Sequence, residues 1–266
     1  MIEPRIGVDI DDFRLRPREA LRKAAELDFR AVELATVAGD LAPWNLSSSG
    51  RRHLSRYVDG LGLQMAALVA DLPGLRLTDP GTVDERVERT CRILQLATDL
   101  KVPAVTASAG MLTHPDTGEP SEAAIEALKR IGEYADLRGT VYALRASGDS
   151  GERIIRVLNE LGCPSIGICL DPAAMVMNGV NPLTVIERAP AQITLMHARD
   201  ATVGLSERAG NETRFGEGEV DLIGVLAALG AADYAGPYIL RRTDSHTPVA
   251  DIQDARDVLT HLLPPA

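Results

Sequence analysis

The chain has 266 residues, of which 45% are hydrophobic and 25% charged, and this composition is typical of a globular protein with a sizeable core. Its 28 basic and 38 acidic residues give a net charge of −10, which argues against a nucleic-acid partner because such proteins normally present a basic surface. No apolar run approaches the roughly 20 residues of a membrane span, and no leader of signal-peptide length precedes the first predicted strand, so we expect a cytoplasmic protein without a membrane partner.

Eight apolar segments of strand length alternate with segments of helical periodicity. The predicted strands are residues 5–10, 31–35, 63–69, 104–108, 140–145, 165–171, 192–197 and 238–242. The predicted helices are 17–27, 47–61, 83–100, one that begins at Ser121, 152–161, 182–188, 222–229 and 252–263. Several strands are continuous apolar runs, which is typical of strands buried on both faces of a parallel sheet.

This alternation predicts an α/β fold, a single (β/α)8 TIM barrel that forms one domain over residues 1–266. Each unit has about 33 residues, which is the size of one βαβ element. An open doubly wound sheet is the competing architecture. It is disfavoured because no glycine-rich dinucleotide fingerprint follows the first strand, where Asp9 is succeeded by Ile-Asp-Asp-Phe-Arg.

Polar residues close nearly every predicted strand, and the active site of a parallel barrel lies at these carboxyl ends. They are Asp9, Glu33, Asp71, Ser108, Arg145, Asp171, His197 and either Arg241 or Arg242. Neighbouring residues of a strand face opposite sides, so only one of the last two should reach the pocket. The three cysteines follow no metal-binding spacing, and Cys169, inside an apolar run, should be a buried free thiol.

Four motifs in order resemble one known family. Residues 167–172 read Gly-Ile-Cys-Leu-Asp-Pro, residues 195–200 contain a His-x-x-Asp pattern, residues 216–221 contain Gly-x-Gly-x-x-Asp, and residues 29–34 resemble the family's second strand. Over its whole length the chain resembles the xylose isomerase-like TIM barrels. The resemblance implies isomerisation or epimerisation of sugars and related hydroxy-ketones. It also implies one divalent cation held by two Glu, one Asp and one His.

The sequence departs from this implied metal site at two of four positions. Asp171 and His197 are retained, but Arg145 and Arg241 stand where the two Glu residues are expected. Arginine stays protonated and cannot ligate a metal. At about 4 Å and an effective dielectric constant near 20, repulsion between one guanidinium and a unit positive charge costs roughly 4 kcal/mol. We therefore predict no metal and no other cofactor.

Two roles are open for the arginines. Arg145 and Arg241 could both flank Asp171 and satisfy it by bidentate hydrogen bonds. Alternatively, one of them could bind a carboxylate or phosphate group of a ligand.

The remaining site residues also have two readings each. His197 could be a general acid–base group whose pKa is set by Asp171, or a hydrogen-bonded histidine at the rim. Glu33 could be a base or a partner in a salt bridge. Trp44 could stack on a sugar ring or pack against a helix, and His246 could cover a ligand or be an exposed loop residue.

The sequence thus predicts a divergent sugar isomerase or epimerase that acts on, or binds, a small and anionic carbohydrate-type ligand without a metal. The alternative is a non-catalytic binding or regulatory barrel that derives from such an isomerase. A DNA-repair endonuclease of the same fold is disfavoured, because it needs a richer metal set and a basic surface. The expected partner is a small molecule, and the resemblance also allows a homodimer.

Overall fold

The computed structural model describes residues 5–114, 116–145, 151–204 and 210–263. In this part of the chain, eight parallel strands close into a barrel in the order β1-β10-β7-β6-β5-β4-β3-β2. The strands of the barrel are β1 Ile6–Asp9, β2 Ala31–Ala35, β3 Gln64–Val69, β4 Ala104–Ser108, β5 Val141–Arg145, β6 Ile166–Leu170, β7 Ile193–Ala198 and β10 Tyr238–Leu240. After β7, the short strands β8 (Asp200–Ala201) and β9 (Glu212–Thr213) form an antiparallel pair.

The helices lie between the strands and after the last one. They are α1 Pro17–Glu26, α2 Ser48–Gly60, α3 Val83–Leu100, α4 Glu122–Arg138, α5 Gly151–Leu161, α6 Pro172–Met177, α7 Leu183–Arg188, α8 Leu222–Ala231 and α9 Pro248–Leu262. Three short 3-10 helices cover Ile10–Phe13, Gly39–Leu41 and Pro190–Gln192. No helix in the described residues is long and apolar enough to cross a membrane.

The predicted (β/α)8 barrel is confirmed, and the open sheet is excluded by closure of the first strand on the last. Ile6 pairs with Tyr238 and Val8 with Leu240 in a parallel register. Among the helices, α9 begins at Pro248, four residues early, and α6 was not foreseen; the short strands β8 and β9 and the 3-10 helices were not predicted either. The Asp171 carboxylate caps α6 by accepting from the Ala174 N–H, and Pro172 occupies the first turn.

A layer of small and apolar residues fills the part of the barrel interior nearer the amino ends of the strands. This lower layer consists of Gly7, Ala31, Ala67, Ala104, Ala143, Cys169, Leu195 and Ile239. The space is fully used at Gly7, where an added Cβ would lie 2.7 Å from the Ala31 carbonyl oxygen. Cys169 is a buried free thiol, as expected.

Two residues further along these strands lies an upper layer of polar and charged side chains, because residues i and i+2 of a strand face the same side. This upper layer consists of Asp9, Glu33, Thr106, Arg145, Asp171, His197 and Arg241. Glu33 on β2 and His197 on β7 are separated by β1 and β10, so their contact has to cross the interior.

Candidate functional site

The centre of the upper layer is a buried pair between Glu33 and His197. The His197 Nε2–H donates to Glu33 Oε2 over 2.8 Å, and both side chains are 0% exposed. The Thr106 hydroxyl donates to the other oxygen of Glu33. The carboxylate is thus held from β4 and from β7 at the same time.

Protonation follows from this arrangement. Burial raises the pKa of Glu33, but the charge and hydrogen bond of His197 lower it further, and the net pKa is about 2. Burial lowers the pKa of His197, yet the neighbouring Cys169 and then the Glu33 carboxylate raise it well above its usual value. Near neutral pH the pair is therefore an imidazolium and a carboxylate, and Glu33 is a weak base.

Asp171 pairs with Arg199. The Arg199 Nε–H lies 3.0 and 3.1 Å from the two Asp171 oxygens, and Nη2 lies 2.9 Å from Oδ2. Burial raises the pKa of Asp171, but Arg199 and His197 lower it below the usual range. The alternative in which Arg145 and Arg241 flank Asp171 is therefore wrong. The carboxylate is bound by Arg199, which directly follows β7, the strand next to β6 in the barrel.

Arg145 and Arg241 have other carboxylate partners. Arg145 Nη2 donates to Asp71 beyond the end of β3. Arg241 Nη2 lies 3.0 Å from Asp9, and its Nε lies 3.5 Å from Asp12. Each of the two guanidiniums is thus held on one side by a carboxylate.

Arg241 is the arginine that faces the interior. Arg242, the next residue, instead contacts Asp251 of α9 over 3.0 Å and Glu212 of β9 over 3.5 Å. This matches the alternation of side chains along a strand.

Asp9 is the one carboxyl of this layer whose pKa rises strongly. Burial raises it, Arg241 lowers it, and the nearby carboxylates of Asp12 and Glu33 raise it again, to about 7. Asp9 therefore exchanges its proton near neutral pH while it remains in contact with Arg241.

Three buried nitrogens of this layer have no hydrogen-bond partner among the described residues. They are Arg145 Nη1, His197 Nδ1 and Arg241 Nε. His197 Nδ1 is 3.8 Å from Asp171 Oδ2, which is too long for a hydrogen bond. Unpaired buried donors are costly, and groups of them at one end of a barrel favour an acceptor that comes from outside the chain.

The donor set does not fit the cation that the resemblance implies. Of the four positions, two carry guanidiniums, Asp171 is bound by Arg199, and His197 is bound by Glu33. Within residues 5–114, 116–145, 151–204 and 210–263, no group of three or more His, Cys, Asp or Glu side chains could hold a metal ion.

Trp44 and His246 lie away from the buried pair. The Trp44 ring is 42% exposed and lies 5.6 Å from the Arg89 guanidinium of α3, on the outer helical layer. The contact with α3 supports the helix-packing alternative, and stacking of Trp44 on a ligand stays a prediction. His246 is exposed in the segment between β10 and α9, at the mouth end of the barrel.

Asp200 fixes the glycine-rich segment at the barrel rim. Its buried carboxylate accepts from the backbone N–H groups of Ala201, Gly216, Gly218 and Val220, over distances of 2.8 to 3.2 Å. The Asp of the His-x-x-Asp pattern therefore orients a loop.

The closed parallel barrel places the molecule in the class of α/β barrel proteins. Its upper layer gathers the polar groups at the carboxyl ends of the strands. The chain belongs to the xylose isomerase-like TIM barrel family, whose sequence model matches residues 21–262. No curated protein matches the sequence.

Solved structures of similar fold span nearly the whole chain. A xylose isomerase domain protein from Planctomyces limnophilus has 21% identity and a TM-score of 0.82, covering 91% of each chain. A D-tagatose 3-epimerase-like protein has 19% identity and a TM-score of 0.80, covering 97% of this chain and 96% of its own. The IOLI protein with a binding zinc atom has 17% identity and a TM-score of 0.80, with 97% of both chains covered. At these identities the likeness supports the fold, so the chemistry has to be argued from the residues.

Proposed function

We propose that this protein binds a small, anionic, carbohydrate-type ligand at the barrel mouth and does so without a divalent cation. The observation that carries this proposal is that Arg145 Nη1 and Arg241 Nε are buried donors without a hydrogen-bond partner among the described residues, although Arg241 Nε lies 3.5 Å from Asp12. A carboxylate or phosphate oxygen would accept from them, and each unsatisfied buried donor otherwise costs about 1–3 kcal/mol.

The arginines are prepared for such a ligand. Asp71 holds one edge of Arg145 and Asp9 holds one edge of Arg241, so both guanidiniums are positioned before a ligand arrives. Preorganised donors lose little entropy on binding. The carbohydrate class is supported by the family, and by relatives whose names describe a D-tagatose 3-epimerase-like protein and an L-ribulose 3-epimerase.

Binding without turnover is favoured over catalysis. Glu33 and His197 are fully buried and neutralise each other, whereas a general base needs contact with the substrate and a pKa near the working pH. The second candidate is a metal-free isomerase in which His197 is a general acid. It is favoured by one observation: the Nδ1–H of the imidazolium has no hydrogen-bond partner among the described residues and lies 3.8 Å from Asp171 Oδ2.

Thermal-shift measurements at constant ionic strength test ligand binding. We expect D-gluconate or ribose 5-phosphate to raise the Tm and D-fructose, which is neutral, to leave it unchanged. The shift should be lost in Arg145→Met and in Arg241→Met, each compared with its own unliganded Tm. Arg52→Met, on the exposed face of α2, is the matched control and should keep the shift. Equal shifts with neutral and anionic sugars would contradict the proposal.

Restoration of the family's carboxylates tests independence from metal. In the double variant Arg145→Glu/Arg241→Glu, Asp71 and Asp9 lose their cations and the mouth becomes strongly acidic. We expect Mn²⁺ or Zn²⁺ to raise the Tm of this variant well beyond any effect on the wild type. A stoichiometric divalent ion in purified wild-type protein would refute the proposal.

Isomerisation assays on every ligand that gives a shift decide between the two candidates. Turnover that disappears in His197→Gln but persists in Arg52→Met would favour the metal-free isomerase. Saturable binding without turnover would favour the binding protein.

A further inference from the structure

A second site lies beside the barrel mouth, between the segments that follow β3 and β4. It is a cavity of about 680 Å³, a size typical of small-molecule sites. Its walls are mainly apolar and include Val37, Leu72, Leu75, Leu77 and Met111. This composition differs sharply from the charged layer at the barrel axis.

Arg86 of α3 forms part of the cavity wall, although its side chain is almost completely buried, with 4% exposure. Its Nη1 lies 3.4 and 3.2 Å from the carbonyl oxygens of Leu72 and Leu75. Its Nη2 lies 3.1 Å from the Ser108 carbonyl oxygen and 3.2 Å from the Tyr142 hydroxyl. Four of the five guanidinium hydrogens are thus used, and Nε–H has no partner among the described residues.

All of these acceptors are neutral, so the charge of Arg86 is not compensated. Among the described residues, no carboxylate lies within ion-pair distance of Arg86; the one carboxylate that lines the cavity, Asp71, is bound by Arg145. Arg76, which is exposed, adds a second cation at the cavity rim. Buried charges in proteins are normally paired, so the cavity favours an anion.

We propose that this cavity binds an amphipathic carboxylate, with its acid group at Arg86 and Arg76 and its apolar body against the leucines and Met111. The site does not depend on the ligand proposed for the barrel axis, since neither Arg241 nor His197 lines it.

Calorimetric titration with 4-phenylbutyrate tests the charge requirement. We expect saturable binding of the acid and at least tenfold weaker binding of 4-phenylbutyramide, which has the same shape without the charge. Equal affinities, or no saturable binding of the acid at millimolar concentration, would overturn the proposal.

The methyl spectrum of ¹³C-labelled methionine locates the site. The signal of Met111, identified by its loss in Met111→Leu, should shift on titration with the acid. The signal of Met65, which lines a different cavity at the opposite end of the barrel, should not. A shift at Met65 without one at Met111 would place the ligand elsewhere and refute the assignment.

Charge variants complete the test. Arg76→Glu and Met111→Asp change exposed rim positions, and each should weaken 4-phenylbutyrate binding about tenfold or more. Arg52→Glu makes the same charge change on α2 and should alter the affinity less than twofold. Arg86→Met should abolish binding; if it does not fold, the two rim variants still decide the question.

Arg241→Met separates this inference from the function proposed above. It should remove the thermal shift with sugar acids and leave 4-phenylbutyrate binding intact. If both rim variants bind the acid like the wild type, the cavity site is wrong even when the axial site is right.

Discussion

The lower and upper layers of the barrel interior come from the same strands, two residues apart, and are stabilised in opposite ways. In the lower layer, one glycine and four alanines leave room for the larger side chains of Cys169, Leu195 and Ile239, and the stabilising force is close packing. In the upper layer, carboxylates, guanidiniums and an imidazolium are buried together, and each is stable only because an opposite charge lies beside it.

This difference predicts how each layer fails. A change of volume should damage the lower layer, whereas loss of one charge should damage the upper layer even when the shape is kept. The lower layer thus specifies the barrel, and the upper layer determines what the barrel can bind.

The largest effect is expected from Glu33→Gln, which keeps the shape and removes the charge beside His197. The buried imidazolium then keeps only Asp171, 3.8 Å from Nδ1, so the free energy of unfolding should fall by about 3–5 kcal/mol in urea titrations. Thr106→Val removes only a hydrogen bond to Glu33 and should cost about 1 kcal/mol. Similar small losses in both variants would mean that the ion pair contributes little.

A smaller effect concerns Asp9 and pH. Its pKa is about 7 in the folded state and near 3.8 when unfolded, so between these values the folded state binds more protons. Its contribution to stability therefore falls as pH rises from about 4 to 7, by up to about 4 kcal/mol, and stays constant above that.

The variant Asp9→Asn should lack this component, so its stability difference between pH 5 and pH 8 should be smaller than that of the wild type. Chemical unfolding at both pH values measures it. An unchanged difference would assign the titration to another group.

Packing in the lower layer is tested by Gly7→Ala. The new Cβ would lie 2.7 Å from both the Ala31 carbonyl oxygen and Ile239 Cδ1, so overpacking should cost about 1–3 kcal/mol. Gly60→Ala, in α2, meets no atom within 4 Å and should be neutral or stabilising by about 0.5 kcal/mol. If Gly7→Ala leaves the free energy of unfolding unchanged, the lower layer has room for an additional methyl group.

The smallest effect is expected outside both layers, at Trp44. Trp44→Phe weakens the contact with Arg89 and should cost less than about 1 kcal/mol. The ligand-induced thermal shift should be unchanged. Loss of that thermal shift in Trp44→Phe would indicate that Trp44 contacts the ligand.

Much of the fold could be predicted because it depends on local periodicity. The apolar runs marked each strand of the barrel, and the alternation of side chains predicted that only one of Arg241 and Arg242 faces inward; the structure shows that it is Arg241. Helix α6 was missed because its residues, Pro172–Met177, are all apolar and so show no alternation of apolar and polar positions at the helical period. Asp171 followed by Pro172 was the available signal, since both are favoured at the start of a helix.

The partners within the site could not be predicted, because they depend on distances across the closed barrel. Asp171 could have met any inward cation, and Arg199 lay just beyond the predicted end of β7. Continuing the period-2 series from His197 by one step would have identified it. No sequence pattern predicted the cavity lined by Arg86, because its walls come from loops and from one helix that are distant in sequence.

The carboxylate of Asp200 has a consequence for the exchange of backbone hydrogens with solvent. Glycine-rich surface segments normally exchange their amide hydrogens rapidly, yet Gly216, Gly218 and Val220 all donate to this one side chain. Their amides should therefore exchange slowly and together, since release of a single carboxylate frees all three. The five residues from Gly216 to Val220 should thus open as one cooperative unit.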